Sequence, residues 1–191
     1  MKLEVTLFEN AGIQNTEETL KIAKKFAEEN NITDIVVAST TGETGIKASE
    51  IFDVNRINLV VVTHAHGFVK LGHQEMPEEN RQKLLDKGVK VLTAGHALSG
   101  AERSFRRTLG VWLPVELFAK FLRSTVCDGF KVCIEISAMA ADAGLVPVDK
   151  DIIAIGGTGK GSDTAVLLKP ADSSNLFEMK VRAILCKPKE F

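Results

Sequence analysis

Four short, β-branched apolar runs, at residues 35–38, 59–63, 89–93 and 151–155, set the frame for this sequence. Longer stretches with helical spacing of apolar residues alternate with them. Apolar runs without a polar face are buried on both sides, as in a parallel sheet. The alternation predicts an α/β fold with three layers, α/β/α, around a mostly parallel sheet.

The remaining segments fill in that frame. A strand is expected at 3–8. A helix follows from Asn15 to about 30, where Leu20, Ala23, Phe26 and Ala27 share one face and Glu17 and Glu18 suit the first turn. Further helices are expected at 46–52, 76–88, 114–125 and 132–143, and a further strand at 165–168. Residues 177–186 read as a last strand or mixed element, and 187–191 as a loose tail. With 191 residues and 45% hydrophobic content, the chain (1–191) suits one domain with a sizeable core.

Composition narrows the partners. Net charge is -1, so no overall basic field calls for nucleic acid or a membrane surface. The basic cluster Arg103, Arg106 and Arg107 reads as solvated surface. Cys127, Cys133 and Cys186 lie among apolar neighbours with no CxxC pair, which fits buried, reduced thiols. No apolar run is long enough to span a bilayer, and Glu4 interrupts any leader, so the expected compartment is the cytoplasm.

The unusual residues fall where the predicted strands end. They are Ser39–Gly45 with Thr40, Thr41, Gly42, Thr44 and Gly45; Thr63–Gly67 with His64, His66 and Gly67; Thr93–Gly100 with His96; and Gly156–Thr164. In a parallel sheet these carboxyl ends share one edge, where ligands of open α/β sheets bind. The first segment leads into a helix, so free N–H groups and the helix dipole favour a phosphate; a plain helix cap is the alternative. The last holds Gly157, Thr158, Gly159, Lys160, Gly161, Ser162 and Thr164. It is no Walker A loop, because Gly161 follows Lys160 where Ser or Thr is required. It reads as an anion-binding nest with a mobile lysine, or as a flexible hairpin.

The histidines do not spell out a metal site. His64-Ala-His66 is followed by Gly67 and Phe68, without the further Asp and His that a binuclear hydrolase motif needs. No metal is expected. His96 near Glu102 or Ser99 is a candidate for acid–base work.

The two Gly/Thr loops together resemble those of the carboxyl-terminal α/β domain of pyruvate kinases. The resemblance rests on residues 34–45 and on residues 151–165, each a strand ending in a Gly/Thr turn. The chain is similar to small standalone versions of that domain, through Gly95–Arg103 and Val132–Gly144. The resemblance implies that the loops clasp a phosphorylated ligand, a sugar phosphate or flavin mononucleotide (FMN). It implies phosphate contacts at Thr40, Thr41, Gly42, Thr44, Gly159, Gly161, Ser162 and Thr164. Glu43 departs from the pattern, standing where the kinases often carry a basic residue. Pyruvate kinase activity is not expected, because its catalytic barrel takes about 250 residues. Alternatives are a small enzyme using His64, His66 or His96 on such a ligand, and a structural or regulatory domain that forms a homo-oligomer.

Overall fold

The computed structural model describes residues 3–191. Seven strands form one sheet: β1 (Thr6–Asn10), β2 (Asp34–Ala38), β3 (Asn58–Val62), β4 (Lys90–Leu92), β5 (Ile152–Gly156), β6 (Thr164–Lys169) and β7 (Lys180–Glu190). Their order is β1-β7-β6-β5-β2-β3-β4. Among the described residues only β6 runs antiparallel to its neighbours. The sheet is mixed and mostly parallel, as the alternation of strands and helices predicts.

Six α-helices cover it: α1 (Thr16–Asn30), α2 (Glu43–Ile51), α3 (Glu78–Asp86), α4 (Glu102–Leu109), α5 (Pro114–Thr125) and α6 (Asp128–Asp142). Period-two alternation divides each central strand between two cores. Ile35 and Val37 of β2 face Leu20, Ala23 and Phe26 of α1, Ala48 of α2 and Leu84 of α3. Val36 faces the other way, toward Leu122 of α5 and Cys133, Ile136 and Met139 of α6. Burying each such side chain contributes about 1.5–3 kcal/mol. Helix α6 is buried on nearly every side, which explains its apolar sequence.

Several boundaries differ from those the sequence predicts. Helix α4 is absent from the sequence reading, because its charged residues mask a short period. β1 begins three residues later than expected, at Thr6. The tail is not loose: β7 runs to Glu190, and Phe8 pairs with Pro188 and Asn10 with Glu190. The β6 ladder to β7 ends at Cys186, so Pro188 sits where the missing N–H costs nothing on that side.

The topology fixes one special place. From β2 the chain moves through α2 and α3 to β3 and β4. It then crosses by α6 on the opposite face to β5, on the other side of β2. The order therefore switches between β2 and β5, and a crevice opens at their carboxyl ends.

Candidate functional site

A cleft of about 320 Å³ occupies that switch point. The loop after β2 forms one wall, with Thr40, Thr41, Glu43 and Thr44; the loop after β5 forms another, with Gly157, Gly159, Lys160 and Gly161. His64 and His96 line it from the ends of β3 and β4, and Lys131, Glu135 and Met139 from α6. Two loops far apart in sequence thus meet because β2 and β5 are neighbours.

Local chemistry explains the shape of each wall. Gly42 caps α2 with φ 91°, a left-handed conformation that favours glycine. A Cβ there would lie 2.8 Å from Asn80 Cβ, and Asn80 Nδ2 donates to Thr41 O at 2.9 Å. Gly45 packs on Val61, and its N–H donates to Ser39 Oγ at 3.0 Å. The α2 N–H groups before it belong to the first turn, which has no intrahelical acceptors. In the other loop Asp163 is fully buried and acts as the anchor. Its Oδ2 accepts from Gly12 N (3.0 Å) and Thr158 N (3.2 Å), and its Oδ1 from the Thr164 hydroxyl (2.8 Å).

Not every residue singled out in the sequence reaches the cleft. Ser162 and Thr164 are buried behind it: Ser162 N donates to Thr16 Oγ1 at 3.0 Å, and Thr164 lies against Cys127. Thr158 does not line the cleft either. His66 and Gly67 border a shallower hollow beside it, shared with Gly95, Ser99 and Arg107. Burial pushes the Cys133 thiol up and carries that of Cys186 to about 12, so neither is poised as a nucleophile. Among the described residues no three His, Cys, Asp or Glu side chains gather as a metal site.

Each cleft histidine is held by a carboxylate. His64 Nδ1 lies 2.8 Å from Glu75 Oε2, and His64 Nε2 lies 3.4 Å from Thr40 Oγ1. A carboxylate only accepts, so Nδ1 carries the proton. Burial lowers the His64 pKa, against the opposing pull of Glu75, which favours the neutral ring with Nε2 unprotonated. His96 Nε2 accepts from Ala65 N–H (3.3 Å) while Nδ1 donates to Glu135 Oε2 (3.3 Å). Both His96 nitrogens are therefore occupied. Its partner is Glu135 and not Glu102 or Ser99, since Glu102 accepts from Glu116 N–H at 2.8 Å.

Glu135 is the hub of the far wall. It also takes Lys131 Nζ at 2.5 Å and Leu98 N–H at 2.9 Å. Burial alone would raise its carboxyl, but the His96 hydrogen bond and the Lys131 charge outweigh this and hold it at about 2. Arg103 is not solvated surface: its guanidinium lies 3.9 Å from the Phe68 ring centre, and it lines the cleft. Phe68 in turn stacks on His96 and packs against His64. Arg106 pairs with the buried Glu116, which leaves Arg107 as the outward member of that cluster.

Residues 17–169 match the family described as pyruvate kinase, alpha/beta domain. The chain belongs to that family. Among solved structures it is similar to a pyruvate kinase from Cryptosporidium parvum, at 15% identity and a TM-score of 0.41 over 91% of this chain. A structure of the C. parvum enzyme in complex with ADP matches at 14% identity and 0.40 over 94%. The chain spans about a quarter of the length of those enzymes, 23% and 25% respectively.

Glu75, Lys131, Glu135 and Phe68 line or support this cleft and are not singled out by the sequence. Lys131 and Glu135 stand four apart in an otherwise apolar helix, and that spacing was a usable signal for a buried pair. Glu75 and Phe68 lie in the loop 63–77, where nothing local marks them.

Proposed function

We propose that the domain binds a small phosphorylated molecule, FMN or a sugar phosphate, in the cleft at the carboxyl edge of the sheet. The observation that carries this reading is the meeting of the Thr40–Thr44 turn and the Gly157–Gly161 loop around one cleft at the β2/β5 switch point. The first turn of α2 offers N–H groups and the positive end of the helix dipole to an anion. Lys160 adds a positive charge from the opposite loop, and Arg103 and Arg123 line the same cleft. Glu43 opposes this from the first turn of α2, so one phosphoryl group is favoured over two.

These residues hold an α/β domain and no barrel, and by themselves they are not expected to catalyse the pyruvate kinase reaction. The test is ligand retention and thermal shift. Freshly purified protein is examined by absorbance and native mass spectrometry. Melting temperature is then followed with FMN and a panel of sugar phosphates. A yellow protein, or a shift for one of these and not for its dephosphorylated form, supports the reading. No shift with any of them overturns it.

A second reading, a self-associating domain, draws on exposed apolar side chains of α4, α5 and the segment between them. Phe105, Leu109, Trp112, Phe118 and Phe121 on and between α4 and α5 are all exposed, Leu109 at 64% and Phe121 at 60%. Contiguous apolar patches on a protein surface mark interaction sites.

A further inference from the structure

We propose that Thr40, His64 and Glu75 form a phosphoryl-transfer relay, with Thr40 Oγ1 as the nucleophile, His64 as its base and an acyl phosphate as the donor. This rests on the phosphate-binding reading above and goes beyond it, from holding a phosphoryl group to moving one.

The geometry is that of an activated hydroxyl. Thr40 sits in the turn between β2 and α2, at the carboxyl edge of the sheet. Its hydroxyl faces the bare Nε2 of His64 at 3.4 Å, while Glu75 holds Nδ1 at 2.8 Å. A nucleophile, a base within reach and a third group that orients the base are the parts such chemistry needs. The 3.4 Å separation is long, as such bonds often are before substrate binds. All three side chains line the cleft.

Among the described residues, Thr40 has the one cleft hydroxyl within hydrogen-bond distance of a histidine ring, although Thr41 and Thr44 line the cleft too. Ser39 Oγ accepts from Gly45 N–H, and Thr63 is buried and bonded to Thr93 at 2.7 Å. A phosphoryl group held at the first turn of α2 places phosphorus next to Thr40, where the N–H groups and Lys160 offset charge on its oxygens.

The donor class follows from what is missing opposite His64. In an in-line displacement the leaving oxygen departs on the far side from the attacking one. His64 stands on the Thr40 side, and both nitrogens of His96 are engaged with Ala65 and Glu135. Neither of the two imidazoles that line the cleft is free to protonate a leaving alkoxide. A leaving group that departs as a stable anion needs no such proton, and a carboxylate from an acyl phosphate is one.

The steps balance. Thr40 Oγ1 attacks phosphorus, its proton passes to His64 Nε2, and the bond from phosphorus to the acyl oxygen breaks to release a carboxylate. His64 keeps that proton. In the second step a water attacks phosphorus on the side opposite Oγ1, the P–Oγ1 bond breaks, and the leaving Oγ1 takes the proton back from His64 Nε2. The attacking water's protons leave with the product as dihydrogen phosphate or pass to bulk water.

The full chain is incubated with acetyl phosphate, quenched, and mapped by mass spectrometry, with phosphate release followed in parallel. One phosphoryl group on Thr40 is expected, retained in Thr40→Ser. Thr40→Ala should lose it, and His64→Ala should slow its formation by about 100-fold or more. Melting temperatures check that each variant is folded. Glu75→Gln, as a positioning change, should move the acidic limb of the pH profile to lower pH, because Glu75 raises the His64 pKa. If acetyl phosphate stabilises the protein but Thr40 is never modified, the relay is overturned and the binding reading stands. Equal labelling in wild type and His64→Ala also overturns the relay. Absence of both labelling and any thermal shift, for acetyl phosphate and for the FMN and sugar-phosphate panel alike, removes both.

Discussion

Single side chains divide here into those that hold the walls of the cleft and those that open onto it. Glu135 holds it, taking Lys131, His96 and the Leu98 N–H while almost fully buried. Glu135→Ala leaves Lys131 as an uncompensated buried charge, so a loss of about 3–5 kcal/mol is expected, read by urea denaturation. The same carboxylate predicts an acid response. Its folded pKa, about 2, lies below the ordinary value of 4.5 for a glutamate side chain. Its contribution is present above 4.5 and is lost as pH falls from 4.5 to about 2. A denaturation series across that window should show a slope that Glu135→Gln removes. Glu43 and Lys160 line the cleft with opposite signs. Lys160→Ala should weaken binding of a phosphorylated ligand and Glu43→Gln should tighten it. Each change should be about 2- to 5-fold, measured by calorimetry at low salt.

At the scale of elements, two joints carry the site. The turn into α2 depends on Gly42, whose left-handed φ and close approach to Asn80 leave no room for a side chain. Gly42→Ala should cost about 1–3 kcal/mol and also weaken phosphate binding, because Thr40 and Thr41 shift with it. A Gly42→Ala protein that melts and binds like wild type counts against this account of the turn. The other joint is the β1/β7 edge. Deleting residues 187–191 removes three of the four pairs between these strands. A melting temperature lowered by several degrees is expected; a flexible tail would leave it unchanged. The sequence marks this segment only as charged and Pro-containing, and charge with Pro is typical of both tails and edge-adjacent strands.

For the whole molecule, the two-sided core and the cleft belong to the sheet, while the apolar α4–α5 face stands apart from both. If the domain pairs with itself through that face, light scattering across protein concentration gives a dimer mass. Phe121→Glu then returns the monomer without changing ligand binding. A monomer at every concentration removes the self-association reading. The sequence of α4 mixes residues that point to different places. Its Arg103 turns into the cleft, Arg106 pairs with Glu116, and Phe105 and Leu109 are left outside.

The sequence by itself determined the α/β class, the two-sided burial of the central strands and the gathering of Gly, Thr and His residues at one edge. Those properties are local, since periodicity, β-branching and turn chemistry act within a few residues. Only the tertiary structure decided that β5 lies beside β2 and brings the two glycine loops together, and that Ser162 and Thr164 turn inward while Thr40 and Lys160 turn out. It alone gave Glu75 to His64 and Glu135 to His96, because those partners come from other segments, and nothing within reach of a histidine in the chain says which carboxylate will fold against it.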